Sequence, residues 1–169
     1  MPVIALYSIY SCISKEIKRF DGKYVENLGS HTSSDRSSHE AGDIVVKDEV
    51  SKEKYEVIEV KFEKNIDSMM VQDAYDKIKP TKIQRYYILT TGKIVNREKI
   101  EKSIIDIKEE HGCQIIVNGV LPTINYYLRL LNNTDDFMNT FIETLQNDPE
   151  INYEHRIASN KILKEFKNI

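Results

Sequence analysis

The sequence predicts an α/β protein: a mixed central β-sheet flanked by helices, followed by a helical C-terminal tail. Three observations predict it. Short runs rich in β-branched and aromatic residues, at 43–47, 55–62, 85–91 and 113–117, are separated by stretches whose apolar residues recur at helical spacing. A hairpin is followed by a strand–helix–strand–helix–strand order, the pattern of parallel strands joined by helices. From Leu121 onward the chain reads as helix.

Taken in order, Leu6, Ile9, Tyr10, Ile13, Ile17 and Phe20 mark a first helix that Asp21-Gly22 stops. Residues 24–28 form a short first strand. The stretch from Gly29 to Gly42 holds five serines, a threonine and two histidines without periodicity, and reads as a loop. Asp43 to Lys47 alternates as a strand, residues 48–54 turn, and Tyr55 to Phe62 pairs back as a hairpin. Asp67 caps a helix carrying Met70, Val71, Ala74 and Ile78, which Pro80 ends. Arg85 to Thr91 is a buried strand. Asn96 caps a helix with Ile100, Ile104 and Ile107 on one face, closed by Gly112, and Cys113 to Val117 is the last strand. Helices at 123–131, 136–145 and 151–166 complete the chain, with Leu128, Leu131, Phe137, Phe141, Leu145 and Ile157 available mostly to pack on the sheet.

With 169 residues, the simplest organisation is one domain spanning 1–169, with a core at about 3–117 and a tail at about 121–169. No apolar run approaches the roughly 20 residues of a membrane span. The start is apolar but has no early basic cluster, which argues against a secretory signal. Cys12 and Cys113 match no metal spacing, so a reducing, cytoplasmic location is expected. The net charge of −3 gives no global argument for a polyanionic partner, yet eight Lys and Arg stand against two acids between Lys77 and Lys102. Such a local excess can steer nucleic acid, or simply solvate a helix face.

The chemistry concentrates in Asp43, Glu59 and Lys61. Side chains alternate along a strand, so Glu59 and Lys61 share one face while Ile58, Val60 and Phe62 supply an apolar opposite face. Asp43 on the paired strand reaches the same face if the hairpin registers normally. Two carboxylates and an amine at one point suit Mg²⁺, with Mn²⁺ able to substitute, and an attacking water. The acid-x-Lys tripeptide alone carries little, because Glu16-Ile17-Lys18, Asp21-Gly22-Lys23, Asp106-Ile107-Lys108 and Glu165-Phe166-Lys167 repeat it. Only the copy at Glu59 lies in a strand, follows a strand opened by Asp, and precedes a helix. The competing reading is a decorated hairpin with cross-strand pairs, Asp43 to Lys61 and Glu59 to Lys47.

In this order, Asp43-Ile44-Val45-Val46, then Val57-Ile58-Glu59-Val60-Lys61, an amphipathic helix and the strand Tyr86 to Thr91 resemble the PD-(D/E)xK nuclease superfamily, and most of all a type II restriction endonuclease. The resemblance covers about 3–117, the restriction-endonuclease-like αβββαβ core. It implies that Asp43 and Glu59 ligate the metal, that Lys61 orients the water, and that the Val60 backbone carbonyl is a further ligand. It also makes Glu16, on the first helix, a candidate ligand. The residue before Asp43 is Gly42 where the family pattern has proline. The implied activity is metal-dependent hydrolysis of phosphodiesters in double-stranded DNA, by a homodimer where both strands are cut. A structure-selective repair nuclease resembling a junction resolvase, and a non-catalytic nucleic-acid-binding or interaction domain, are the alternatives.

Around this triad, Ser33, Ser34, Arg36, Ser37, Ser38 and His39 are candidates for DNA contact in the loop before Asp43, with an ordinary surface loop as the alternative. Glu40 is a second choice of carboxylate. On the helix after Lys61, which also carries Lys77, Gln72 is the candidate supporting residue. Tyr86 and Tyr87 read as sheet packing rather than stacking platforms. The four histidines are scattered, and neither a Gly-x-Ser-x-Gly elbow nor a glycine-rich phosphate loop occurs, so no nucleotide cofactor is expected.

Overall fold

The computed structural model describes residues 1–29 and 42–167. Its elements follow the expected order. Helix α1 (Pro2–Glu16) ends at a short 3₁₀ turn (Lys18–Phe20), and the strands β1 (Lys23–Val25), β2 (Ile44–Asp48) and β3 (Lys54–Lys61) come next. Then α2 (Ser68–Ile78), β4 (Arg85–Thr90), α3 (Arg97–His111) and β5 (Gln114–Gly119) alternate. The tail forms α4 (Val120–Leu128), α5 (Thr134–Asn147) and α6 (Tyr153–Lys167). The sheet has strand order β1-β2-β3-β4-β5, antiparallel through its first three strands and parallel through its last three. The fold is therefore a mixed α/β sheet flanked by helices.

Local signals set the boundaries. The Asp48 carboxylate accepts the N–H groups of Val50 and Ser51, which folds the β2–β3 turn. Asp67 accepts the Met70 N–H at 3.0 Å and caps α2, as its sequence position requires. Gly112 ends α3 at φ +84°, a left-handed conformation that glycine adopts without penalty. Asn96 precedes α3 as expected but sits at φ +54° and makes no side-chain cap.

Strand alternation divides the core. Val45, Val57, Tyr86 and Ile88 face α2 and α3, where they meet Val71, Ile78 and Ile100. Ile44, Val46, Ile58 and Leu89 face α1, against Leu6, Ile9 and Ile13. Burying each such side chain contributes about 1.5–3 kcal/mol. A one-residue slip of the hairpin would turn both sets outward, so packing fixes the register.

Three expectations need correction. Phe62 is not core: the strand stops at Lys61 and Phe62 is 58% exposed. Of the tail, α4 packs on both α1 and β5, through Val120 and Tyr127, whereas α5 packs on α1, with Leu145 beside Ile4 and Ile151. Ile157 is exposed. Cys12 and Cys113 are buried free thiols, and no helix among the described residues is long and apolar enough to cross a membrane.

Candidate active site

The hairpin register pairs Ile44 with Ile58 and Val45 with Val57, and Asp43, one residue before β2, is held at the Glu59 end of β3 by its bonds to Ile58 and Val60. Alternation puts Glu59 and Lys61 on the side of Val45 and Val57, which α2 and α3 cover, and the Asp43 charge acts there on the buried Tyr86. The Asp43 N–H donates to the Ile58 carbonyl at 2.9 Å, and its Oδ2 accepts the Val60 N–H at 2.6 Å. Since the Lys61 carbonyl accepts from Thr91 on the β4 side, the Val60 amide and carbonyl turn toward β2, where Asp43 waits. Gly42 has a packing reason: a Cβ there would stand 2.6 Å from Val57 Cγ1 and 2.9 Å from the Ile58 carbonyl oxygen. The approach that seats Asp43 leaves no room for the proline of the family pattern.

Glu59 is the centre of the site and is only 8% exposed. Its Oε1 accepts two ammonium groups, Lys61 Nζ and Lys77 Nζ, each at 2.6 Å. Its Oε2 accepts the Tyr86 hydroxyl at 2.9 Å. Burial pushes the Glu59 carboxyl up, but the hydrogen bonds and charges of Lys61 and then Lys77 outweigh it and hold the group below its ordinary value. Tyr86 is driven the other way, by burial first and by the negative charge of Glu59 and Asp43 beside it, so its phenol stays a proton donor. The two loops that follow β3 and β4 are locked together. Ile66 donates to Lys93, Val95 donates to Ile66, Glu63 donates to Thr91 Oγ1, and Thr90 Oγ1 donates to the Lys64 carbonyl. This ties down the strand ends that carry Lys61.

The cross-strand ion pairs of a merely decorated hairpin do not form. Lys47 pairs with Glu26, next to the edge strand β1, and Lys61 pairs with Glu59 on its own strand. Other sequence candidates fall elsewhere. Glu16 is on α1, against the opposite face of the sheet, and its carboxylate caps the Asn132 N–H at 2.9 Å. Gln72 points along the outside of α2 and donates to Asp76 at 3.2 Å. Lys77 takes the supporting position instead. The helical pattern contains the signal, because Lys77 follows Met70 and Ala74 at the i, i+4, i+7 spacing of the inner face, whereas Gln72 and Asp76 lie outside it. Tyr86 is buried as expected, but its hydroxyl belongs to the site. Ser33, Ser34, Arg36, Ser37, Ser38, His39 and Glu40 lie outside the described residues.

The donor set fits a hard divalent cation. Mg²⁺ takes one or two protein carboxylates and keeps its remaining positions for water and phosphate oxygen, which matches Asp43, Glu59 and the Val60 carbonyl. Among the described residues no group of three or more His, Cys, Asp or Glu side chains gathers in the manner of a self-sufficient metal cage. Two clefts, of about 430 and 730 Å³, open elsewhere; the first, lined by Lys54, Lys82 and His111, is at the other end of β3 and β4.

A second buried carboxylate stands three residues upstream. Glu56 is fully buried on the α1 side of the sheet. Its Oε1 accepts the Tyr10 hydroxyl at 2.7 Å and Arg19 Nη2 at 3.4 Å. Arg19 also donates to the Tyr127 hydroxyl at 2.9 Å, and Tyr127 donates to Tyr87 at 3.4 Å. Burial raises the Glu56 carboxyl above its ordinary value despite Arg19 and Tyr10.

No family model matches this sequence, and no curated protein matches it.

Proposed function

We propose that this chain is a Mg²⁺-dependent endonuclease of the PD-(D/E)xK type that hydrolyses phosphodiester bonds in double-stranded DNA, most like a type II restriction endonuclease. The observation that carries the proposal is the Asp43 carboxylate held on the Val60 N–H next to Glu59, with the Lys61 ammonium 2.6 Å from the Glu59 carboxylate. The α1-β1-β2-β3-α2-β4 order and the strand order through β4 agree with the core expected from the sequence.

In this reading Asp43, Glu59 and the Val60 carbonyl hold the cation. A bound Mg²⁺ lowers the pKa of an attacking water and neutralises phosphate charge. The chain's own residues supply the rest. Asp43 is oriented by the Val60 N–H, and Glu59 by the Tyr86 hydroxyl. Lys61 is placed on the carboxylate face, where its ammonium donates to the lone pairs of the attacking water and offsets charge building on the phosphorus. Mn²⁺ substitutes for Mg²⁺ because the ligands are hard oxygens. Cutting both strands of a symmetric site calls for a homodimer, and a restriction role places the enzyme in the cytoplasm.

The test is incubation with plasmid and phage DNA in Mg²⁺, with mapping of the ends. Cleavage at one fixed sequence is expected, and cleavage confined to branched DNA would assign the repair alternative. Glu59→Ala and Lys61→Ala should each abolish cleavage while duplex binding persists. Wild-type cleavage that survives excess chelator overturns the proposal.

A further inference from the structure

Glu59 Oε1 is saturated. A carboxylate oxygen offers two lone-pair positions, and Lys61 and Lys77 fill both at 2.6 Å. Tyr86 holds the other oxygen, and Asp43 has one oxygen on the Val60 N–H. A divalent cation that ligates Glu59 Oε1 must displace one of these two ammonium groups, because both lone pairs are taken.

The two lysines are not equivalent. Lys61 rises from the same strand face as Glu59, two residues on, and its side chain is 24% exposed. Lys77 reaches in from the last turn of α2 and is 47% exposed, so it can swing into solvent without unpacking anything. The solvent side is also where a polyanion must approach.

We propose that Lys77 is an exchangeable placeholder: it occupies Glu59 Oε1 until a divalent cation arrives, and then moves to a non-bridging oxygen of the bound phosphodiester. The exchange is a transfer of ion pairs, with no bond made or broken. It keeps a buried carboxylate compensated before the metal binds, and it makes cation binding release a phosphate ligand. The idea rests on the nuclease reading and assigns Lys77 as that site's phosphate-binding residue.

The consequence is a pair of effects of opposite sign. Removing Lys77 removes a competitor for the cation but also a contact to the substrate. Calorimetric titration with Mn²⁺ should show Lys77→Met binding about three- to fivefold tighter than wild type, the scale of one partly exposed ion pair. Anisotropy with duplex DNA in Ca²⁺ should show Lys77→Met binding more weakly, with the salt slope of log K reduced by about one. Lys77→Arg should restore the slope. A residue that only braces the helix would weaken both or neither. Unchanged or weaker Mn²⁺ binding by a Lys77→Met variant of native melting temperature overturns the exchange, as does an unchanged salt slope. If wild type itself binds neither Mn²⁺ nor duplex, the nuclease reading fails and this inference with it; if wild type binds both, only the role of Lys77 is at stake.

Discussion

Glu56 and Glu59 stand three residues apart on β3, both nearly or wholly buried, and face opposite sides of the same sheet. Glu59 is compensated by two lysines that reach it from partly solvated positions, and its carboxyl is held below the ordinary value of 4.5. Glu56 is compensated by the Tyr10 hydroxyl and the Arg19 guanidinium, and burial pushes its carboxyl above that value. One side has cations to exchange; the other has a network drawn from α1, the 3₁₀ turn, β4 and α4 that joins those elements. A buried carboxylate is thus not in itself a functional signal. On the proposed function, Glu59 works because its partners can leave, and those of Glu56 are fixed in the network.

The largest test of this contrast sets Glu56→Ala against Glu59→Ala. Removing Glu56 takes the carboxylate from Tyr10 and from Arg19, which keeps only its bond to Tyr127, and should cost about 3 kcal/mol, or roughly 10 °C in melting temperature for a chain of this size. Removing Glu59 frees the half-exposed Lys77 into water and takes one acceptor each from Lys61 and the Tyr86 hydroxyl, so its cost should be about 1 kcal/mol, while cleavage is lost. Urea unfolding of both variants in parallel with a plasmid assay measures this. The reverse order of stabilities would break the contrast.

The pH dependence of stability gives a smaller effect with opposite signs on the two sides. Glu59 has a depressed folded value, so its ionised form stabilises the fold above pH 4.5, and that contribution is lost as the pH falls from 4.5 through the folded value. Glu56 has a raised folded value, so the folded state holds its proton longer than the unfolded chain. Its contribution is fully present below pH 4.5 and is lost as the pH rises through the folded value. Chemical denaturation at several pH values should show Glu59→Gln abolishing part of the acid-side loss and Glu56→Gln abolishing part of the loss above pH 4.5. Matching profiles for the two variants would mean that the environments do not differ as described.

Much of this was readable along the chain. Periodicity located every helix and strand to within a few residues, and Asp67 and Gly112 were legible as caps because their roles are local. The Asp43, Glu59 and Lys61 face followed from alternation plus one assumption, a regular hairpin. What alternation could not give was where the strand stops, and so Phe62 was assigned to the core while the backbone turns just before it. Lys77 and Tyr86 were missed because each joins the site through a crossover, 18 and 27 residues from Glu59. The Glu56 network is harder still, since Tyr10 and Glu56 are 46 residues apart and Arg19 and Tyr127 are 108 apart. Glu16 failed for the related reason that a helix position says nothing about which sheet face the helix covers.

The finest version of the comparison uses two adjacent residues, Tyr86 and Tyr87 on β4. Alternation sends Tyr86 to the Glu59 side and Tyr87 to the Glu56 side, and both are buried. Each loses only a hydroxyl on mutation to Phe, so packing is nearly unchanged and the hydrogen bond alone is tested. Tyr86→Phe releases Glu59 Oε2 from its one fixed donor, so the carboxylate gains freedom to turn. Cleavage should fall by about tenfold and Mn²⁺ affinity should weaken, as for other partners that orient a metal ligand, with little change in stability. Tyr87→Phe removes an acceptor from Tyr127 at the rim of the Glu56 network and should cost about 1 kcal/mol of stability with cleavage unchanged. Equal losses of activity in the two variants would show that the faces of the sheet are coupled. Separation of the two effects would show that one strand carries two independent tasks, divided by the direction in which alternate side chains point.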